Sequence, residues 1–139
     1  MNKKASEILG EPVLAGATLE AKGSIKRMIG GAIGGALGEA LAGIELKPAA
    51  VPGDHQGIHY VAVGPTQVGF FSMKRGLFKP SIDELLVQHP RSDVQTVEIK
   101  GGAMPAVHFV FRDGTNYLLL CPRIHLGKLK KVQEILTSQ

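Results

Sequence analysis

Residues that could catalyse a reaction or hold a metal ion are few in this sequence, and their spacing fits no metal-site or catalytic signature. The five histidines are spread along the chain, at His55, His59, His89, His108 and His125. His55 and His59 are four residues apart, a spacing that places two imidazoles together when the backbone is helical. Pro52, Gly53 and Gly57 disfavour a helix here. We therefore expect structural or solvated histidines and no metal site.

The motifs of common enzyme classes are also missing. The sequence contains no Gly-x-Ser-x-Gly elbow, no Walker-type Gly-Lys-Ser/Thr and no Gly-x-Gly-x-x-Gly fingerprint. Asp83, Glu84 and Asp93 would have to converge in space before they could act as general acid and base. The lone cysteine, Cys121, lies in an apolar run, which is typical of a small buried side chain. We expect a non-enzymatic protein that uses no cofactor.

The best candidate for ligand binding is residues 74–79, here called the basic loop. Lys74, Arg75 and Lys79 surround the apolar residues Leu77 and Phe78. Cations beside apolar side chains on a hairpin loop suit an anionic lipid headgroup. The alternative is a solvated loop whose apolar residues pack into the core.

The net charge of +4 is unevenly distributed. Residues 1–50 contribute +1 (six basic, five acidic), residues 51–100 contribute zero (five and five) and residues 101–139 contribute +3 (five and two). A lysine-bearing C-terminal helix is commonly just solvated, and the alternatives are a nucleic-acid or an anionic-membrane patch. The chain has no Trp and only five Phe and two Tyr, so stacking on single-stranded nucleic acid is disfavoured.

Residues 24–44, here called the Gly-rich segment, are the most unusual stretch. Aliphatic residues recur every four positions and glycines follow one position on, which on a helix gives two adjacent stripes suited to close packing. We expect a helix packed on its own domain or on another subunit. Its expected contact residues are Gly30, Gly34, Gly38, Ile29, Ile33 and Leu37. A flexible loop, and a membrane-surface helix with Lys22, Lys26 and Arg27 facing lipid, are the alternatives.

A membrane-spanning helix is not expected. The apolar run at residues 28–43 is shorter than the ~20 residues that a span needs, and Glu39 lies within it. The first ten residues lack the apolar core of a secretory signal. We expect a cytoplasmic protein, with the inner face of the membrane as the alternative location.

The last third of the chain predicts a β-meander followed by an amphipathic helix. Residues 93–100, 107–112 and 117–121 have the apolar patterns of strands. Asp113-Gly114 predicts a two-residue type I′ turn. Pro122 suits the first turn of a helix. Apolar residues then recur at helical spacing, at Ile124, Leu126, Leu129, Val132, Ile135 and Leu136.

Upstream of the meander the pattern predicts a short helix that ends at Gly10 and a hairpin of residues 58–63 and 67–73. Residues 11–20 fit either a strand or the start of a helix. A helical turn is expected from Ser81, leading into a short strand at Leu85–Val87.

This order of elements resembles the bacterial pleckstrin-homology-like and GRAM-like domains. The resemblance is carried by residues 60–71, 90–97 and 107–120 and by the final helix. The chain is also similar to a group of uncharacterised actinobacterial proteins that place a Gly-rich segment ahead of such a domain. The resemblance implies an α+β fold: a strongly bent, seven-stranded antiparallel sheet or open barrel capped by the C-terminal helix. The residues implied to fill its open end are Ile124, Leu126, Leu129, Val132 and Ile135.

The expected organisation is an N-terminal segment at 1–46 with a Gly-rich helix, a linker at 47–57 and the domain at 58–139. Members of these families bind lipids, peptides or proteins. One expected function is a binding or scaffold module that self-associates or docks a protein partner. The alternative is a peripheral membrane module that binds anionic lipid headgroups through the basic loop and the Gly-rich segment. A nucleic-acid partner is disfavoured.

Overall fold

The computed structural model of the chain describes residues 2–21, 49–75 and 79–138. The described helices are α1 (Asn2–Leu9) and α2 (Leu126–Thr137). The strands are β1 (Ala15–Ala21), β2 (Gly57–Val63), β3 (Gln67–Lys74), β4 (Ser81–Pro90), β5 (Val94–Lys100), β6 (Ala106–Phe111) and β7 (Asn116–Leu120). Short 3₁₀ turns occupy Pro52–Asp54, Arg91–Asp93 and Arg123–His125. The Gly-rich segment, with all six of its expected contact residues, lies outside the described residues.

The seven strands form one antiparallel sheet in the order β4-β3-β2-β1-β7-β6-β5. The sheet is not closed, because β4 and β5 form its two edges. The expected α+β architecture, an antiparallel sheet with a C-terminal helix, is therefore confirmed. Residues 15–21, whose type the sequence left open, form the central strand β1. The sheet thus draws on residues from both sides of the expected boundary at residue 58.

The two halves of the sheet meet where β1 touches β7. These strands pair at the single position Glu20–Leu120. Farther along β7, Ala50 takes the place of β1 in a parallel bridge beside Tyr117. The Ala50 N–H donates to Asn116 O (3.2 Å), and the Leu118 N–H donates to Ala50 O (3.1 Å). The end of β1 and Ala50, which lie on either side of residues 22–48 in the chain, are therefore both neighbours of β7.

The hairpin between β6 and β7 is not the expected two-residue type I′ turn. Its loop has three residues, 112–114, because the Phe111 N–H donates to Thr115 O (2.9 Å) and the Gly114 N–H donates to Phe111 O (3.0 Å). In this loop only Gly114 has a positive φ (91°), whereas a type I′ turn needs it at both central residues. The Asp113 carboxylate accepts a hydrogen bond from the Thr115 N–H (2.9 Å), which stabilises the longer loop.

Strand β4 corrects the expected helical turn at Ser81 and short strand at Leu85–Val87. It runs for ten residues, from Ser81 to Pro90, and pairs with β3. Its register against β3 shifts on both sides of Phe71. Such bulges interrupt the alternation of apolar residues. The sequence pattern therefore did not indicate one continuous strand.

One face of the sheet, here called the inner face, packs against α2. The alternating residues of β6 lie on this face, as expected. The core residues that β6 and α2 contribute to it are Val107, Phe109, Phe111, Leu129, Val132 and Leu136, all buried. α2 contacts β1, β2 and β5, and the Gln133 amide donates to Val97 O of β5 (2.7 Å). The helix thus fills the inner face and satisfies a carbonyl of an edge strand.

The start of α2 differs from the expectation. Pro122 is extended (ψ 138°), a 3₁₀ turn follows, and α2 begins only at Leu126. Ile124 was expected to fill the open end of the sheet, but it is 86% exposed. Leu126 and Ile135 are partly buried against the core. The 3₁₀ turn takes Ile124 out of the helical periodicity, so its side chain misses the core.

The opposite face, here called the outer face, is covered over β2, β3 and β4 by α1. The expected short helix before Gly10 is therefore confirmed. The apolar residues that pack there are Ala5, Tyr60, Ala62, Phe71, Met73 and Ile82. The Tyr60 hydroxyl donates to the side-chain oxygen of Asn2. Gly16 leaves room for this ring, since a Cβ at Gly16 would lie 2.2 Å from the Tyr60 hydroxyl oxygen.

Two charged side chains hold the turn between β2 and β3. The Glu11 carboxylate accepts hydrogen bonds from the Thr66 N–H (2.8 Å) and the Gln67 N–H (3.1 Å). Partial burial tends to raise the pKa of Glu11, but these hydrogen bonds outweigh it and lower the pKa. The Arg91 guanidinium donates to Pro65 O (3.1 Å) and Ile135 O (3.0 Å). Arg91 thereby joins this turn to the last turn of α2, where a cation is favourable.

We expect Leu129→Ala to lower the free energy of unfolding by ~2–5 kcal/mol, because it removes a fully buried side chain from the core. Ile124→Ala is the matched control on an exposed side chain, and its effect should stay within about 0.5 kcal/mol. Urea unfolding followed by circular dichroism measures both changes. Equal losses in the two variants would contradict the observed placement of α2.

Candidate functional site

The basic loop joins β3 to β4, and Lys74, Arg75 and Lys79 are all exposed there. Residues 76–78, which include the two apolar residues of the loop, lie outside the described residues. The first residues of β4 add two exposed carboxylates, Asp83 and Glu84. The charge of this region is therefore mixed.

A second group of cations lies on α2, beside a pocket of about 220 Å³. Lys128 and Lys131 line this pocket, and their spacing of three residues puts them on one side of the helix. The remaining lining residues come from the N-terminal part of the chain and from β2: Asn2, Leu14, Ala15, Gly16 and Tyr60. We call this group the lysine pocket. It is assembled by α1, β1, β2 and α2 together.

The polar groups of the lysine pocket are mainly hydrogen-bond donors. Burial raises the pKa of Tyr60, so its hydroxyl stays protonated and donates to the Asn2 side-chain oxygen. That contact leaves the amide NH₂ of Asn2 as a donor. Lys128 and Lys131 each add an ammonium group, which has three donors and no acceptor. Two cations and an amide donor suit a phosphate or carboxylate group.

Two large apolar side chains are exposed, one on the lining of the pocket and one in the turn before α2. Ile124, in the turn before α2, is 86% exposed, and Leu14, on the lining of the pocket, is 51% exposed. Residues 114–133 contain no Asp or Glu, but they contain four basic residues, Arg123, Lys128, Lys130 and Lys131. All four are exposed. The stretch 114–133 thus carries positive charge without a carboxylate, and it includes the exposed side chain of Ile124.

Sequence reasoning placed the excess charge in this region but did not find the pocket. The spacing of Lys128 and Lys131 is a local signal that both belong to one side of a helix. No local signal links them to Asn2 or Tyr60, which lie far away in the chain and approach only through the packing of α1 and β2.

His55 and His59 are neighbours in space, with ring centroids 5.0 Å apart. His59 is fully buried, and its Nδ1 lies 3.1 Å from Gly57 O, so Nδ1 carries the proton. Burial lowers the pKa of His59. Across residues 2–21, 49–75 and 79–138, no group of three or more His, Cys, Asp or Glu side chains is arranged to hold a metal ion.

Two other histidines form hydrogen bonds within the sheet. His89 stacks on Phe111, with ring centroids 4.0 Å apart, and its Nε2 lies 2.8 Å from the Tyr117 hydroxyl oxygen. The Nε2 of His108 lies 2.8 Å from Asn116 Oδ1. Burial lowers the pKa of both histidines and raises that of Tyr117 to about 12. These contacts fix side-chain positions within the fold.

Cys121 is fully buried on the inner face, as its apolar surroundings in the sequence indicated. Burial raises the pKa of its thiol to about 11. The thiol therefore stays protonated near neutral pH, and a reactive nucleophile would need the thiolate.

Comparison of the chain with protein-family models, with curated proteins and with solved structures finds no match. Neither of the two described helices has the length and apolar content needed to cross a bilayer.

Stability should depend on pH through the buried histidines. Burial lowers the pKa of His59, His89 and His108 below the usual value of about 6.5. The unfolded chain therefore takes up protons at a higher pH than the folded chain, so the free energy of unfolding falls as the pH drops below about 6.5. We expect a lower urea midpoint at about pH 5.5 than at about pH 7.5, and a smaller difference in His108→Gln. A midpoint that stays constant over this range would contradict the expectation.

Proposed function

We propose that this chain is a non-enzymatic binding module that attaches to an anionic membrane surface through the lysine pocket. The observation that carries the proposal is the convergence of Lys128 and Lys131 on one pocket, whose lining includes the exposed side chain of Leu14. Ile124, in the turn that precedes α2, is exposed as well. The ammonium groups meet the lipid phosphates, and the apolar side chains enter the boundary between headgroups and acyl chains.

The expected attachment is reversible. Each lysine near an anionic leaflet contributes about 1 kcal/mol, and this attraction weakens within a Debye length of ~10 Å at about 0.1 M salt. Burial of an aliphatic side chain such as Ile124 adds roughly 1.5–3 kcal/mol when it leaves water completely. A few such contacts hold the module at the surface without a membrane span. The proposed location is the cytoplasm and the inner face of the membrane.

We also propose that the fold is that of the pleckstrin-homology-like or GRAM-like domains. Its support is the strand order β4-β3-β2-β1-β7-β6-β5 together with a C-terminal helix that packs on the inner face. Anionic lipid headgroups are among the ligands that these families bind, which agrees with the proposed function.

Membrane attachment can be tested by sedimentation with vesicles that contain phosphatidylserine. We expect the double variant Lys128→Ala/Lys131→Ala to lose about 2 kcal/mol of binding free energy, or roughly thirtyfold in affinity, since it removes both cations of the pocket. The matched control is Lys74→Ala/Lys79→Ala in the basic loop, which removes the same charge from another surface. Its affinity should fall less.

Three further results would decide the proposal. Vesicles of phosphatidylcholine alone should not bind the chain, and raising the salt from about 0.1 M to about 0.5 M should weaken binding to the anionic vesicles. Ile124→Ala should weaken binding without loss of stability. Equal losses of affinity in the two double-lysine variants would show that binding depends on net charge and not on the lysine pocket. An absence of binding to anionic vesicles at low salt would exclude the function.

A second candidate function is a scaffold module that self-associates or docks a protein partner through the Gly-rich segment. The observation that favours it is the repeat in that segment, where aliphatic residues and glycines each recur every four positions. This function requires the Gly-rich segment of one chain to reach another chain.

Light scattering measures the mass of the protein in solution and so distinguishes a self-associating scaffold from a monomeric membrane module. A scaffold should have a solution mass above that of one chain, and Gly34→Leu should lower that mass by blocking close packing at the glycine stripe. A monomeric mass over the accessible concentration range would exclude self-association.

A further inference from the structure

The loop between β5 and β6, residues 101–105, carries no charged side chain and faces water. It reads Gly-Gly-Ala-Met-Pro, and its first four residues are exposed. Gly102 has a φ of 135°, which glycine adopts far more readily than other residues. Met104 is 40% exposed, although methionine is among the residue types most often buried. The loop therefore holds a large apolar side chain in water at one end of the sheet.

Hydrogen bonds join this loop to the 3₁₀ turn before α2. The Arg123 guanidinium donates to Gly102 O from Nε (3.2 Å) and from Nη2 (2.9 Å). The Cys121 N–H donates to Pro105 O (2.7 Å). One side-chain contact and one backbone contact thus fix the loop against the segment that leads into α2.

These contacts bring two exposed apolar side chains to the same end of the sheet. Met104 is next to Pro105 in the chain, and Ile124 is next to Arg123. Ile124 is 86% exposed and Met104 is 40% exposed, and both are among the four large apolar side chains that are exposed in the described part of the chain. The loop and the turn therefore lie side by side, and each presents one apolar side chain to water.

Basic residues adjoin both segments. Lys100 precedes the loop, Lys128 lies on the first turn of α2, and both are exposed, as is Arg123. Burial and the neighbouring Lys128 both lower the pKa of His125, so Lys128 lies close to the turn. Lys128 also lines the lysine pocket, which makes the loop and the turn continuous with that pocket.

The two segments carry no carboxylate. Residues 99–112 and 114–133 contain no Asp or Glu. Glu98 lies two residues before Lys100, and Glu20 lies near the end of β1, but both are only partly exposed. The exposed charges on the loop and the turn are therefore positive.

We propose that residues 100–104 and 123–125 form one surface, here called the Met104–Ile124 edge, that inserts into the interface of an anionic bilayer. This edge deepens the proposed function, on which it depends, by naming the part of the fold that enters the lipid. Met104 and Ile124 enter the boundary between headgroups and acyl chains, and the adjoining cations meet the phosphates. Lysine is depleted in protein–protein interfaces, so a bilayer is the better partner for this surface. Arg123 is a positioning residue, because it holds the loop against the turn.

A dye whose emission depends on the polarity of its surroundings reports insertion at single positions of the full chain. The dye is attached to the new thiol in Met104→Cys, Ile124→Cys or Ile8→Cys. Ile8 lies on α1 and is the matched control, because its exposed fraction of 40% equals that of Met104. The native Cys121 is fully buried, so its thiol does not compete for the dye. With vesicles that contain phosphatidylserine, we expect emission at a shorter wavelength for Met104→Cys and Ile124→Cys and unchanged emission for Ile8→Cys.

Unlabelled variants test the same surface through affinity. Met104→Ser should weaken binding to these vesicles roughly fivefold or more, because it removes apolar area that leaves water on insertion, whereas Ile8→Ser should leave the affinity unchanged. Arg123→Lys keeps the charge but loses the paired contact to Gly102 O. It should reduce the emission shift in Met104→Cys and preserve the shift in Ile124→Cys, a selective effect that a general loss of stability would not produce.

The possible outcomes distinguish this edge from the proposed function. Shifts in both Met104→Cys and Ile124→Cys, without one in Ile8→Cys, support the edge. They do so even if Lys128→Ala/Lys131→Ala binds as tightly as the unchanged chain, a result that would remove only the lysine pocket. A shift at one of the two positions or at neither, or equal shifts at all three, would overturn the edge and leave the proposed function standing, provided that the chain still sediments with anionic vesicles. If the unchanged chain does not sediment with these vesicles at low salt, both the edge and the proposed function fail.

Discussion

The constraint on which this structure depends is that strands β6 and β7 are buried on both faces of the sheet. Phe109 of β6 lies on the inner face, and Val110, the next residue, lies on the outer face, and both are fully buried. A strand of this kind is stable only when each face is covered, because apolar surface that is left in water is unfavourable. α2 provides the cover on the inner face, and α1 covers the outer face over β2, β3 and β4.

The two described helices cover different faces of the sheet and come from opposite ends of the chain. α2 follows β7 directly and packs on the inner face, where Leu129 and Val132 complete the core. α1 precedes β1 and reaches the outer face over β2, β3 and β4 through Ala5. Polar contacts at the edges of the sheet hold these layers in place, such as the hydrogen bond from the Arg91 guanidinium to Ile135 O in the last turn of α2.

The lysine pocket is a consequence of this layering. Lys128 and Lys131 lie on the side of α2 that the core leaves uncovered, and the start of α1 brings Asn2 beside them. The same turn that delays the start of α2 leaves Ile124 in water. A membrane module would use both results, since the cations line the pocket and an apolar side chain is exposed in the turn before the same helix. The basic loop shares its charge with Asp83 and Glu84 and is the weaker candidate.

The elements whose signals are local could be predicted from the amino-acid sequence. The period of two in β6 and the helical spacing of Leu129 and Val132 each report which residues are buried, because strand and helix geometry are properties of a few consecutive residues. Four features could be read only from the tertiary structure. They are the length of β4, the place of β1 at the centre of the sheet, the exposure of Ile124 and the pocket that is lined by both Asn2 and Lys131. Those features depend on pairing, bulges and packing between residues far apart in the chain. Such contacts leave no regular pattern in a single sequence. They are therefore seen only in the folded structure, where elements that are far apart in the chain pack together.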